Sequence, residues 1–167
     1  MGDAVRGPSS SLPETPAARA ALGAELRAAT GLDEAVLERL VRRFYAVARA
    51  DPEIGRFFDA VEDWEAHIAT ITRFWASVAL MTGTYHGQPM PVHAGLGAGN
   101  GEQGLGRAHF ARWLALFEQA ARETCPAPAV PYLMEKARRI AESLALGVAV
   151  ARGELPPREN TKGRPGG

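Results

Sequence analysis

A histidine on a predicted apolar helix face is the first residue of this chain that could do chemistry. His67 precedes Ile71 by four residues and Phe74 by seven, so at about 100° per residue it lies within the apolar arc. A buried imidazole ring needs a hydrogen-bond partner or a ligand. The position is therefore typical either of a ligand-contacting histidine or of a core histidine satisfied by backbone carbonyls.

Three further side chains bring N–H or O–H groups to predicted apolar faces. Tyr45 lies at the edge of the apolar stripe of an earlier helix, and His109 and Trp113 share one face of a later helix. If these helices pack across a small cavity, Tyr45, His67 and Trp113 face it from three walls. His109 is the weaker candidate, because histidines near helix caps commonly bond to the backbone.

The segment 83–106 presents another histidine, His93, just after two prolines, and holds eight of the eighteen glycines. Long glycine-rich connections are usually functional or disordered, so His93 is either a presented ligand or a solvated surface residue. A largely apolar cavity with one nitrogen ligand on one side and hydrogen-bond donors on the other is what a haem with an exchangeable gaseous ligand requires.

Two alternative ligand sets are weaker. Cys125 could supply a thiolate, but it precedes a proline at a predicted helix end, where proline is common. His86 and His93 are seven residues apart and would share a helix face as zinc ligands. Two prolines between them interrupt that helix, and no carboxylate or thiolate completes the set.

We expect the candidate side chains to lie on helices or on the segments between them. Four segments of the sequence show helical periodicity, and no alternating apolar and polar run indicates a strand. The sequence therefore predicts an all-α fold. The predicted elements are a weaker helix over 17–29, long helices over Asp33–Ala50, Val61–Thr82, Ala108–Thr124 and Pro131–Arg152, and a short turn over Ile54–Phe58.

Composition narrows the class of protein. The 167 residues suit one compact domain, and 19 basic against 19 acidic residues give no net charge to attract nucleic acid. A single cysteine excludes a disulfide scaffold, and the absence of a targeting or membrane-spanning stretch predicts a cytoplasmic protein with no membrane partner. The Gly-, Pro- and Ser-rich ends predict a disordered extension over 1–16 and tail over 156–167, flanking a domain over 17–155.

Five blocks of residues, in order over residues 37–120, resemble the truncated globins of bacteria, specifically their third group. A single block would be weak, because Phe-Tyr and Phe-Trp pairs are common in cores, but five blocks at plausible helix spacings are specific. The blocks are Leu40-Val41-x-x-Phe44-Tyr45, Asp51-Pro52-x-Ile54-Gly55-x-x-Phe58, Asp63-Trp64-x-x-His67 with Phe74-Trp75, Thr82-Gly83-x-Tyr85-x-Gly87-x-Pro89-x-x-x-His93, and His109-Phe110-x-x-Trp113-Leu114-x-Leu116-Phe117.

The resemblance implies a two-over-two helical sandwich that holds a haem. It makes His93 the proximal iron ligand and leaves three distal polar residues to contact the bound gas. The residues it places around the haem are Phe58 on the haem face, Ile71 as the apolar wall, Trp75, and the distal Tyr45, His67 and Trp113. Trp75 also lies on the apolar stripe of its helix, so it is equally typical of a core residue. After His93 the chain departs from the family, because a glycine-rich stretch replaces the expected Leu-Pro and short path to the next helix.

Two classes of function follow from this resemblance. The first is reversible binding of dioxygen or another small ligand (nitric oxide, carbon monoxide or sulfide) at a non-covalent haem b, since no Cys-x-x-Cys-His attachment motif is present. The second is a haem enzyme that acts as a nitric oxide dioxygenase or a peroxidase-like oxidant, for which a reductase would be a partner. A third interpretation, without haem, is an all-helical interaction module with a histidine-containing core.

Overall fold

The described part of the chain is entirely helical. The computed structural model describes residues 13, 15–86 and 104–154. Within those residues it contains five α-helices and one 3₁₀ helix and no strand, so the predicted all-α class is confirmed. The α-helices are α1 (Pro16–Thr30), α2 (Glu34–Ala50), α3 (Trp64–Leu80), α4 (Arg107–Thr124) and α5 (Ala129–Ala151), and the 3₁₀ helix is Gly55–Phe58.

Aspartate caps set the starts of α2, which carries Tyr45, and of α3, which carries His67. The Asp33 side chain accepts the backbone N–H of Val36 at 2.8 Å, and Asp63 accepts that of Ala66 at 3.0 Å. Such a cap stabilises a helix by about 1 kcal/mol. Helix α3 therefore begins at Trp64, three residues after its predicted start at Val61.

Two other helix boundaries also differ from the sequence prediction. Helix α3 ends at Leu80, two residues early, because Met81 adopts the left-handed conformation with φ 58°. Helix α5 begins at Ala129, two residues before the predicted start at Pro131. A proline at the third helical position is tolerated there, since its missing N–H would have no partner within the helix.

The helices pack as two layers. Helices α2 and α3 form one pair and α4 and α5 the other, and α2 packs on α4 between the layers. Helix α1 crosses α3 closely at Gly23, where a Cβ atom would lie 2.5 Å from the carbonyl oxygen of Leu80. The largest of the core side chains that are almost completely buried are Leu32, Leu37, Leu40, Val41, Phe117 and Leu133.

An ion pair between the buried Asp51 and the partly exposed Arg112 ties the end of α2 to α4. The Asp51 side chain is 3% exposed, and its Oδ2 accepts from the guanidinium of Arg112 at 2.8 Å. Its Oδ1 accepts the backbone N–H groups of Glu53 at 2.9 Å and Ile54 at 3.2 Å. Burial opposes ionisation of this carboxyl, but the hydrogen bonds from Arg112, Glu53 and Ile54 outweigh it and lower the pKa of Asp51. The pair thereby fixes the turn that leads into the 3₁₀ helix.

Replacing Asp51 by asparagine should destabilise the protein in a pH-dependent way. A carboxyl whose folded pKa is lowered stabilises above its unfolded pKa of about 3.9, and that contribution is lost as pH falls through the folded value. Asp51→Asn should lower Tm by about 5 °C at pH 7, through lost charge-assisted bonds, and by less near pH 3, where the carboxyl of the unfolded chain is mostly protonated. Thermal unfolding at both pH values measures this, with the exposed Asp59→Asn as control. A loss that does not change with pH would contradict it.

Several predictions concern residues outside the described part of the chain. The proximal candidate His93 and the glycine-rich stretch after it lie there. The predicted tail over 156–167 and all of the predicted extension except residues 13, 15 and 16 lie there too. Of the described helices, none has the length and apolarity that a bilayer crossing requires.

Candidate functional site

A cavity of about 340 Å³ opens between the two helix layers, beside the 3₁₀ helix. Its volume is within the range of small-molecule and cofactor pockets. Six of the seven sequence-predicted site residues line it, namely Tyr45, Phe58, His67, Ile71, Trp75 and Trp113. The seventh, His93, lies outside the described residues. The structure thus brings together residues that are up to 68 positions apart in the sequence.

Tyr45 and His67 form the polar centre of the cavity wall. The Tyr45 hydroxyl lies 2.9 Å from Nε2 of His67, and the two rings are 5.0 Å apart. Tyr45 is buried, and burial raises the pKa of its phenol well above the ordinary value of about 10. The phenol is therefore protonated at neutral pH and can act as a donor.

The direction of the Tyr45–His67 hydrogen bond decides what Tyr45 can offer to a ligand. When the imidazole carries its proton on Nε2, His67 donates to the phenol oxygen and the phenol proton is free to point elsewhere. When Nε2 is unprotonated, Tyr45 donates to His67 instead. A hydrogen-bond acceptor in the cavity would favour the first arrangement, because Tyr45 can then donate to it.

Aromatic rings pack around these two residues. Tyr45 makes edge contacts with Phe58 at 5.4 Å and with Trp64 at 5.2 Å between ring centroids. The Trp64 ring also contacts His67 at 5.4 Å and lies under the guanidinium of Arg49 at 4.1 Å. Such packing leaves Tyr45 little room to change rotamer.

A stack of three rings forms another part of the cavity wall. Phe117 lies between Trp75, at 4.7 Å and 20°, and Trp113, at 5.5 Å and 14°. Trp75 and Phe117 are buried, so Trp75 serves both as core and as cavity wall. Trp113 is half-buried and forms the less buried end of the stack. Its indole ring carries an N–H group that can donate a hydrogen bond.

Further residues that the sequence did not assign to the site also line the cavity. Apolar walls are supplied by Phe57, Leu105, Phe110, Ile140 and Leu144, and polar groups by Tyr85 and His109. Ile140 and Leu144 show the inward helical spacing of α5, but periodicity cannot tell core from cavity wall. His109 did stand out in the sequence, as a histidine on the face of Trp113.

The alternative ligand sets find no support in the described residues. Cys125 does not line the cavity, and burial raises the pKa of its thiol, which keeps it from becoming a thiolate. His86 is exposed and does not line the cavity. Across residues 15–86 and 104–154, no three His, Cys, Asp or Glu side chains converge on a metal site.

Comparisons with known proteins point to one family. The chain is 31% identical over 94 residues to the group 3 truncated hemoglobin ctb of Campylobacter jejuni, a match that covers 53% of this chain and 69% of that protein. It also resembles the crystal structure of a group III truncated hemoglobin from Campylobacter jejuni, with a TM-score of 0.61 and 26% identity over 70% of this chain and 91% of the other. No family model matches the sequence.

Proposed function

This chain belongs to the group 3 truncated haemoglobins, and from that premise we propose that it binds dioxygen or another small ligand reversibly at one non-covalent haem b. The observation that carries the proposal is the cavity, which has apolar and aromatic walls and a hydrogen-bonded Tyr45–His67 pair within them. When bound, the haem supplies an iron with one open coordination position for a small gas. Because dioxygen binds ferrous iron, an electron-donating reductase is the expected partner.

The lining of the cavity fits this cofactor. A porphyrin is a flat apolar ring, and the cavity offers flat partners in Phe57, Phe58 and Trp113 together with aliphatic walls in Ile71 and Leu144. No Cys-x-x-Cys-His motif is present, which supports non-covalent binding.

His93 is proposed as the iron ligand, and the other three histidines support that choice. His86 is exposed and away from the cavity, and the Nε2 of His67 already bonds to Tyr45. His109 uses Nδ1 to accept the backbone N–H of Gly106 at 2.9 Å, so its neutral ring carries a proton on Nε2 and has no lone pair for iron. His93 is the remaining one of the four.

Tyr45, His67 and Trp113 are proposed as the residues that hold the bound gas. Tyr45 donates its phenol proton, His67 keeps that proton pointed at the ligand by donating to the phenol oxygen, and Trp113 offers its ring N–H from the second wall. In an apolar site such donors act more strongly than in water. Ligands that accept hydrogen bonds, such as dioxygen, should therefore be released slowly.

Titration of the haem-free protein with haemin tests the proposal. We expect one haemin per chain, an intense absorption band, and quenching of tryptophan fluorescence, since Trp75 and Trp113 line the cavity. A matched control is Ile71→Trp, which fills the cavity and should block uptake. Absence of stoichiometric uptake by the wild-type chain would leave the helical interaction module as the better interpretation.

Binding and catalysis can then be separated on one sample. Stopped-flow release of dioxygen and consumption of nitric oxide are measured side by side on the loaded protein. Slow release without turnover is the result expected for a binding protein. Rapid nitric oxide turnover with an electron donor would instead identify the nitric oxide dioxygenase.

His67 should act mainly as a gate, and His67→Leu should raise the association rate of carbon monoxide by about fivefold. The ring is half-buried near the start of α3, and opening it breaks its bond to Tyr45, which costs about 1 kcal/mol. Flash photolysis measures association, and stopped flow measures dioxygen release. A large rise in dioxygen release with unchanged carbon monoxide association would show that His67 is a principal donor and not a gate. The exposed Thr84→Leu is a control.

A further inference from the structure

His109 is one of two polar lining residues, with Tyr85, that the proposed function leaves unused. It occupies the third position of α4, where its Nδ1 accepts the backbone N–H of the N-cap residue Gly106 at 2.9 Å and so caps the start of the helix. This bond fixes the tautomer, because a neutral imidazole that accepts at Nδ1 carries its proton on Nε2. The ring therefore offers a fixed N–H donor as its second polar group.

The position of this donor is the edge of the cavity. His109 is half-buried and lines the cavity one helical turn before Trp113, and its ring makes an edge contact with Phe57 at 5.0 Å. The lining residues closest to it in the chain, Leu105 and Phe110, are apolar. The Nε2–H donor of His109 thus lies at a half-exposed edge among apolar side chains. Such a donor suits a ligand with a mostly apolar surface and a hydrogen-bond acceptor at its periphery.

We propose that His109 anchors a haem propionate by donating its Nε2–H to the carboxylate. The inference rests on the proposed function, since it requires haem in the cavity. Haem is such a ligand, because its ring is apolar while its two propionates are charged and must stay near water. A hydrogen bond to a carboxylate is stronger than one between neutral groups, so it would slow the loss of the cofactor.

Two nearly isosteric substitutions separate this role from helix capping. At the third helical position, the side-chain oxygen of glutamine or of glutamate can accept the backbone N–H of the N-cap residue as His109 does. In His109→Gln the amide can also donate to a carboxylate, whereas in His109→Glu the side chain has no donor and adds a negative charge. A purely structural role for His109 therefore predicts the same behaviour for both variants.

The measurement is the rate of haem transfer from the loaded full-length chain to an excess of a haem-free acceptor globin. We expect His109→Glu to lose haem at least about tenfold faster than His109→Gln, and His109→Gln to stay within about threefold of wild type. With haemin dimethyl ester, which has no propionate charge, the difference between the two variants should collapse. Ala108→Glu, exposed and outside the cavity lining, controls for a negative charge at the start of α4.

Three outcomes would overturn the proposal. Equal haem loss from the two His109 variants, a difference that persists with the dimethyl ester, or equal acceleration by Ala108→Glu would each show that no propionate is anchored by His109. Thermal unfolding of the haem-free variants checks that both caps are intact. Failure of the wild-type chain to take up haemin at all is a distinct result, since it overturns the proposed function itself.

Discussion

His93→Gly should abolish the spectrum of histidine-ligated haem, and added imidazole should restore it. Loss of the side chain removes the only protein bond to iron in this account and leaves a gap that free imidazole fills. The rescue matters because it separates loss of a ligand from loss of the fold. Absorption spectra of the ferrous protein, recorded with and without millimolar imidazole, measure both effects.

His86→Gly is the matched control for this prediction. His86 is seven residues from His93, exposed, and absent from the cavity wall, so its replacement should leave the spectrum unchanged. If His93→Gly keeps the wild-type spectrum while a variant of His86 or His109 loses it, the proximal assignment is wrong.

Tyr45→Phe should speed the release of dioxygen by at least about tenfold. Tyr45 is buried, stays protonated, and is held by three aromatic neighbours, so its hydroxyl is a preorganised donor. Hydrogen bonds to partly charged groups contribute about 1.5–3 kcal/mol, and each 1.4 kcal/mol is a factor of ten in rate. Stopped-flow displacement of dioxygen by carbon monoxide gives the release rate directly.

Tyr132→Phe provides the control, because it also removes one phenolic hydroxyl. That hydroxyl donates to the carbonyl oxygen of Ala79 at 2.8 Å and joins α5 to α3 away from the cavity lining. Its loss should lower stability slightly and leave dioxygen release unchanged. An unchanged release rate in both Tyr45→Phe and Trp113→Phe would show that the donors are other residues.

Helical periodicity in the sequence predicted much of the fold. Leu37 and Leu40 in α2, and Leu133 and Ala137 in α5, recur at helical spacing in the sequence, and all four are buried. Boundaries were less accurate where a local interaction overrides the pattern. Because Asp63 caps α3, the helix begins three residues later than predicted. The left-handed Met81 ends it two residues earlier than predicted, although the apolar pattern continues past both points.

The candidate site was predicted unevenly, for a physical reason. A polar residue on an apolar stripe, such as His67, breaks a pattern and can be recognised in the sequence. The apolar walls Leu105, Phe110 and Ile140 look identical to core residues, because a cavity is a property of how helices diverge and not of any one residue. The Tyr45–His67 bond and the fixed tautomer of His109 likewise depend on distances that spacing does not give.

Reversible binding of dioxygen by the reduced, haem-loaded chain is the most direct test of the central claim. The absorption spectrum is followed while dioxygen is added and then removed under argon. The account predicts a shift that saturates at one ligand per haem, reverses fully, and is matched by a similar shift with carbon monoxide. A spectrum that does not respond to either gas, or iron that oxidises at once without a reversible phase, would contradict it.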